Sequence, residues 1–203
     1  MNTFWKVFLA LLAIGIAISL VTLFMGERPV GSENLIGKPL PDFAAPLASG
    51  TQNGDSNIYT PAQAKQLKST AACDVDLPDV FNSCDDLKGD AIITFWNTTK
   101  KECAQDVTTL DDFTAANPYV NVVAVAFDQT ESTVREFVNG KDWKIPVAID
   151  RDGAVAGLYS VAGCPSTYFA RDGEITGVKL GVLSAAQLEQ GLKNSAKSTG
   201  ATN

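Results

Sequence analysis

GDAIITFWNTTKKECAQDVTTL, residues 89–110, holds two patterns in succession. AIITFW (91–96) is an apolar run of strand length, rich in the β-branched and aromatic residues that fit a buried pleated surface. After the polar Asn97, Thr98 and Thr99, the residues Cys103, Val107, Leu110 and Thr114 fall at i, i+4, i+7 and i+11. That spacing is one stripe of an amphipathic helix, with Cys103 in its first turn. VNVVAVAF (120–127) then reads as a second buried strand, and the alternation continues with a helix over 131–139, a short strand over 145–149 and a short helix over 152–159. Residues 166–170 and 174–180 make a hairpin about Arg171, Asp172 and Gly173, because Asp-Gly is a two-residue turn signal. The last helix starts at Ser184, which forms a capping box with Gln187, while Leu183 and Leu188 sit where a hydrophobic staple belongs. This order predicts an α/β domain, a central mixed sheet with helices on both faces.

Outward toward the N-terminus the pattern weakens. Residues 40–47 open the domain, which extends over 39–196. Residues 48–89 form a polar, turn-rich insert with one short helix around 61–68. So long an irregular segment in a compact domain needs a staple or a task. Cys73 and Cys84 enclose a short loop within it, and a structural disulfide there contributes about 2–3 kcal/mol by restricting the unfolded chain. A second redox pair is the functional alternative. Residues 27–38 carry Pro29, Gly31, Ser32 and Gly37 and read as a tether. Residues 7–25 run without a charge, roughly 28 Å as a helix, the thickness of a bilayer core. No small-x-small cleavage site follows. Residues 1–26 are therefore expected to form one transmembrane anchor preceding the domain. The cysteines suit an oxidising compartment, which places the domain on the extracytoplasmic side of the cell membrane as a single-pass protein. Residues 197–203 read as a disordered tail.

Composition removes several classes of function. The chain of 203 residues carries a net charge of −7 and no stripe of Lys and Arg, which argues against nucleic acid as a partner. It contains no histidine, so His-based acid–base chemistry and His-activated nucleophiles are absent. The four cysteines lack the paired C-x-x-C arms of an all-cysteine zinc site. Neither a metal nor a cofactor is expected.

Residues 89–110 resemble the pattern F-W-A-T-W-C-x-x-C-x-x-E-x-P-x-L of thioredoxin-like proteins of the TlpA and ResA type, which overlap with the redoxins. Phe95, Trp96, Thr98 and Leu110 match, and Asp106 stands in for the acid. Cys103 falls on the second cysteine and Lys100 on the first. PVAIDRDGAVAGLYSVAGCPSTY (146–168) is similar to the family's P-V-x-x-D-x-x-G-x-x-A-x-x-Y-x-V-x-G-x-P-T-T-F, and IGKPLPDFAAPL (36–47) resembles its opening strand. The likeness spans most of residues 36–195 and leaves out 55–85.

The resemblance implies a thioredoxin-like fold with an incomplete C-x-x-C motif. In the family the first cysteine is the nucleophile at a helix N-terminus, and Lys100 cannot attack a disulfide. The family loop before the proline at Pro165 is cis and packs beside the reactive cysteines, so Cys164 is expected to approach Cys103. Three readings of that contact stay open: a redox pair with Cys103 as principal thiol, a purely structural disulfide, or buried inert thiols. Lys100 and Lys101 lend charge that favours thiolate, and Trp96 reads as core and entrance packing. The implied function is thiol–disulfide oxidoreduction, with protein thiols or disulfides or a redox donor protein as partners. The alternatives are a catalytically degenerate binding or structural module and a redoxin-type peroxidase using Cys103. Against the peroxidase, Thr99 falls four rather than three residues before Cys103 and no proline precedes it.

Overall fold

The computed structural model describes residues 32–198. The expected anchor at residues 1–26 lies outside them. Among the described residues no helix is long and apolar enough to cross a membrane.

Among the described residues, seven strands and six α-helices follow one another. β1 (Ala44–Pro46) precedes α1 (Pro61–Leu67), β2 (Val80–Asn82) and the single-turn α2 (Ser83–Asp86). Then come β3 (Asp90–Trp96), α3 (Lys101–Ala116), β4 (Asn121–Phe127), α4 (Glu131–Asn139), β5 (Val147–Asp150) and α5 (Ala154–Leu158). The hairpin β6 (Ser166–Arg171) and β7 (Glu174–Leu180) and the helix α6 (Ala185–Ser198) close the domain. The main sheet has the order β5-β4-β3-β6-β7. β3, β4 and β5 are parallel, and β6 and β7 are added antiparallel. It is the mixed sheet that the pattern predicts.

The period of two in β3 sorts its side chains to opposite faces. Ile92 and Trp96 face a cluster with Ala124, Ala126 and Ile149, covered by Cys103, Val107, Leu110 and Phe113 of α3, Val134 of α4 and Leu188 and Leu192 of α6. Ile93 and Phe95 face a second cluster with Val123, Val125 and Tyr168, covered by Val155 and Ala156 of α5 together with Phe43, Ala45, Phe81 and Leu87. Helices thus cover both faces.

The opening segment crosses the second face from one sheet edge to the other. Leu40 donates its N–H to Gly173 beside β7, and Ala48 donates to Val147 at β5. Both outer strands are in this way partly covered by chain, which limits edge-to-edge pairing.

The sequence reading needs correction in the insert. Residues 36–47 resemble a family strand, yet within them only Ala44–Pro46 form one, and it pairs with β2 in a separate two-stranded sheet. β2 and α2 lie inside the stretch read as irregular, and their few residues leave no periodicity to detect. The helix around 61–68 is α1, where Thr60 and Gln63 form a capping box and Pro61 starts the helix. The closing helix runs to Ser198, past the expected start of the tail at 197.

Candidate functional site

β3 ends at Trp96, and the chain turns through Asn97, Thr98 and Thr99 before α3 begins. Gln129, just beyond β4, grips that turn from both sides. Its Oε1 accepts the Thr98 N–H at 3.1 Å, and its Nε2 donates to the Thr98 hydroxyl. Asn97 Oδ1 accepts the Thr99 N–H, so this side chain serves the turn locally. Lys100 is the N-cap residue of α3 and contributes no side-chain cap. Both Lys100 and Lys101 are exposed.

Cys103 lies in the first turn of α3 at 0% exposure. Cys164 approaches from the loop before β6. There Ser166 donates its hydroxyl to the Gly163 carbonyl at 2.6 Å, and Gly181 donates its N–H to the Pro165 carbonyl. The Cys164–Pro165 peptide is cis. Cys103 and Cys164 are joined in a disulfide, their Cα atoms 5.4 Å apart across 61 residues of sequence. Ala162 and Gly163 are exposed and Cys164 is half-buried, so solvent meets the bridge from the Cys164 side.

Trp96 is fully buried next to this centre. It packs against Trp143 at 5.4 Å and Phe137 at 5.5 Å between ring centroids. Its indole N–H has no hydrogen-bond partner. It packs as part of the core beside Cys103.

Asp106, noted in the sequence only as a motif match, is the second buried polar group of the site. It follows Cys103 by three residues on α3, hence on the same face of the helix, and is 2% exposed. Its Oδ1 accepts the Leu183 N–H at 2.8 Å. Its Oδ2 lies 3.3 Å from the Thr94 hydroxyl and 3.2 Å from the Thr167 hydroxyl, which are themselves 2.7 Å apart. Three oxygens thus make three contacts while the two hydroxyls supply only two hydrogens. Burial pushes the Asp106 carboxyl above its ordinary value, while the Leu183, Thr167 and Thr94 hydrogen bonds act in the opposite direction. Burial outweighs these hydrogen bonds, so the carboxyl holds its proton more strongly than usual.

Cys73 and Cys84 are bonded at the far end of the domain from α3's first turn, within the insert, their Cα atoms 5.5 Å apart and 11 residues distant in sequence. Asn82 organises the surroundings: its Nδ2 reaches the carbonyls of Ala72, Cys73 and Val75, and its Oδ1 accepts the Cys84 N–H. Asp42 presents a carboxylate within 4.8 Å of both sulfurs. With the sulfurs bonded to each other, neither is a thiolate that could ligate a metal.

The AhpC/TSA family matches residues 36–178. The thiol-disulfide oxidoreductase ResA of Oceanobacillus iheyensis is 34% identical over 142 residues, 66% of this chain and 72% of that protein. ResA of Bacillus cereus (strain ZK / E33L) is 32% identical over 108 residues, 51% of this chain and 62% of that protein, so the match spans less than two thirds of the latter's length. A thioredoxin-family thiol:disulfide interchange protein of Chlorobium tepidum superposes with a TM-score of 0.56 at 16% identity, covering 77% of this chain and 94% of that one. The exposed lipoprotein thioredoxin of Streptococcus pneumoniae gives 0.56 at 18% identity, covering 75% and 98%. At such identities the two structures speak for the fold alone, which is thioredoxin-like.

Proposed function

The chain belongs to the AhpC/TSA family as a ResA-type thioredoxin-like protein, and on that premise we propose that it exchanges disulfides with partner proteins through Cys103 and Cys164. The observation that carries this reading is the bridge itself: a buried sulfur on the first turn of α3 bonded to a half-buried one on an exposed loop. Relatives named for thiol–disulfide oxidoreduction support it.

Access assigns the roles. A partner thiolate attacks Cys164 Sγ; the Cys164–Cys103 bond breaks, a mixed disulfide forms, and Cys103 leaves as thiolate. A second thiol of the partner, once deprotonated, attacks the partner's sulfur in the mixed disulfide and releases Cys164. Two electrons pass from the partner's dithiol to the protein, and the two protons end on Cys103 and Cys164. The positive end of α3 favours the departing thiolate, and Lys100 and Lys101 add charge at the same helix start. Asp106, buried one turn away on the same helix, is a proton-holding group beside Cys103. Run in reverse, the Cys103/Cys164 dithiol reduces a partner's disulfide, and the relative potentials set the direction.

An anchored, extracytoplasmic placement belongs to the same proposal. Its support is the uncharged stretch 7–25 and a described domain whose cysteines are all in disulfides.

The test follows oxidation of a dithiol peptide by the disulfide form of the protein. Cys164→Ser and Cys103→Ser each lose at least about 100-fold in rate, because each removes one sulfur of the two-electron couple. The Cys73→Ala/Cys84→Ala variant keeps its rate. Turnover that survives in either serine variant, or a wild-type protein without turnover, contradicts the reading and leaves a scaffold with structural bridges.

A further inference from the structure

Beside the first turn of α3 lies a groove of about 480 Å3. Lys100, Lys101, Gln105 and Thr108 line it on the α3 side, and Phe137 of α4 and Lys141 just beyond α4 line it on the other. The Lys141 ammonium is held 5.1 Å from the centroid of the Phe137 ring. All three lysines are exposed, and none of the ion pairs among the described residues engages them. Because Lys100 provides no side-chain cap, the positive end of the α3 dipole adds to the same field. Glu102 and Asp142 adjoin Lys101 and Lys141 in sequence but do not line the groove.

The wall from Lys101 to Thr108 is roughly 10 Å long, the span of about three residues of extended chain. It starts at the helical turn that carries Cys103, whose bonded partner Cys164 is the exchanging sulfur of the reading above. Three cations and an aromatic wall match carboxylates better than they match an apolar segment. The chain's net charge of −7 opposes an acidic partner at a distance. Screening confines that repulsion to about 8 Å at physiological salt, so the local lysines govern the contact.

Building on the exchange reading, we propose that this groove docks an acidic stretch of the partner polypeptide, a short run of Asp or Glu beside the cysteine that meets Cys164. The groove then selects partners, while the disulfide performs the chemistry.

The test uses the full-length protein in its disulfide form and fluorescent peptides in which serine replaces the cysteine, followed by a run of Glu, Gln or Lys. Equilibrium binding is read by fluorescence anisotropy. The Glu peptide binds roughly fivefold more tightly than the Gln peptide at low salt, the ratio expected of two or three exposed charge pairs, and the Lys peptide binds worst. The preference closes at about 0.5 M salt and in the Lys101→Gln/Lys141→Gln variant. Equal binding of Glu and Gln peptides, an unchanged ratio in the double variant, or attachment to phosphatidylglycerol vesicles without any peptide preference overturns the proposal. Binding is read without exchange, so the two ideas fail separately. A preference in a protein that does not exchange keeps the groove and removes the oxidoreductase, and exchange without preference does the opposite.

Discussion

At Asp106, three oxygens share two hydroxyl hydrogens in a site closed to water, and the consequence is a pH dependence of stability. Its carboxyl is raised by burial, as is that of Asp150, which is also fully buried and accepts the Val155 and Ala156 N–H groups and the Ser56 hydroxyl. A raised folded-state pKa means that the native protein binds more protons than the unfolded chain once the pH exceeds about 4. Stability therefore falls as pH rises from there through the folded-state values. Asp106→Asn keeps an oxygen for the Leu183 N–H and places an amide against the two threonine hydroxyls. Urea unfolding at pH 4 and pH 8 is expected to show a smaller loss in this variant than in the wild type; an equal loss contradicts a proton-holding Asp106. The sequence exposed this residue only as a stand-in for a family acid. Its proton partners Thr94, Thr167 and Leu183 come from β3, β6 and the approach to α6, and no local pattern links those positions. The approach of Cys164 to Cys103 was accessible because a short motif ending in Pro165 carried it. Which of the two sulfurs faces solvent was not, since it depends on how α3 packs on the sheet.

Among the elements, the insert shows most plainly where pattern stops informing. The strands β3 and β4 announce themselves as long apolar runs, and Asp172 and Gly173 take φ of 50° and 80°, the left-handed pair that their turn requires. By contrast β2 holds three residues, and its partner β1 holds three. Their pairing, Ala44 to Asn82 and Pro46 to Val80, is long-range and is fixed by burial of Phe43 and Phe81 rather than by alternation. The Cys73–Cys84 bridge and the Asn82 amide hold the loop that presents β2. In the chain-entropy description, closing so short a loop is worth about 2–3 kcal/mol. Cys73→Ala/Cys84→Ala is expected to lower the unfolding free energy by that amount in denaturant titrations, with the Cys103–Cys164 bridge retained. A loss below about 1 kcal/mol would show that the β1–β2 pair and its packing suffice without the staple.

Over the molecule as a whole, the two disulfides occupy different settings and should behave differently. One ties the insert to itself across a short loop; the other joins a buried helix start to an exposed loop across 61 residues, with lysines beside it. The mixed sheet and the two-faced core follow from strand periodicity over the C-terminal two thirds, which is why the domain was readable there and not in 48–89. The most direct measurement is thiol trapping with mass spectrometry on the native protein, equilibrated across a series of glutathione redox buffers. The account predicts that Cys103–Cys164 opens at a potential above about −300 mV while Cys73–Cys84 stays closed there. Joint resistance of both bridges, or recovery of Cys103 and Cys164 without a bond between them, would contradict it.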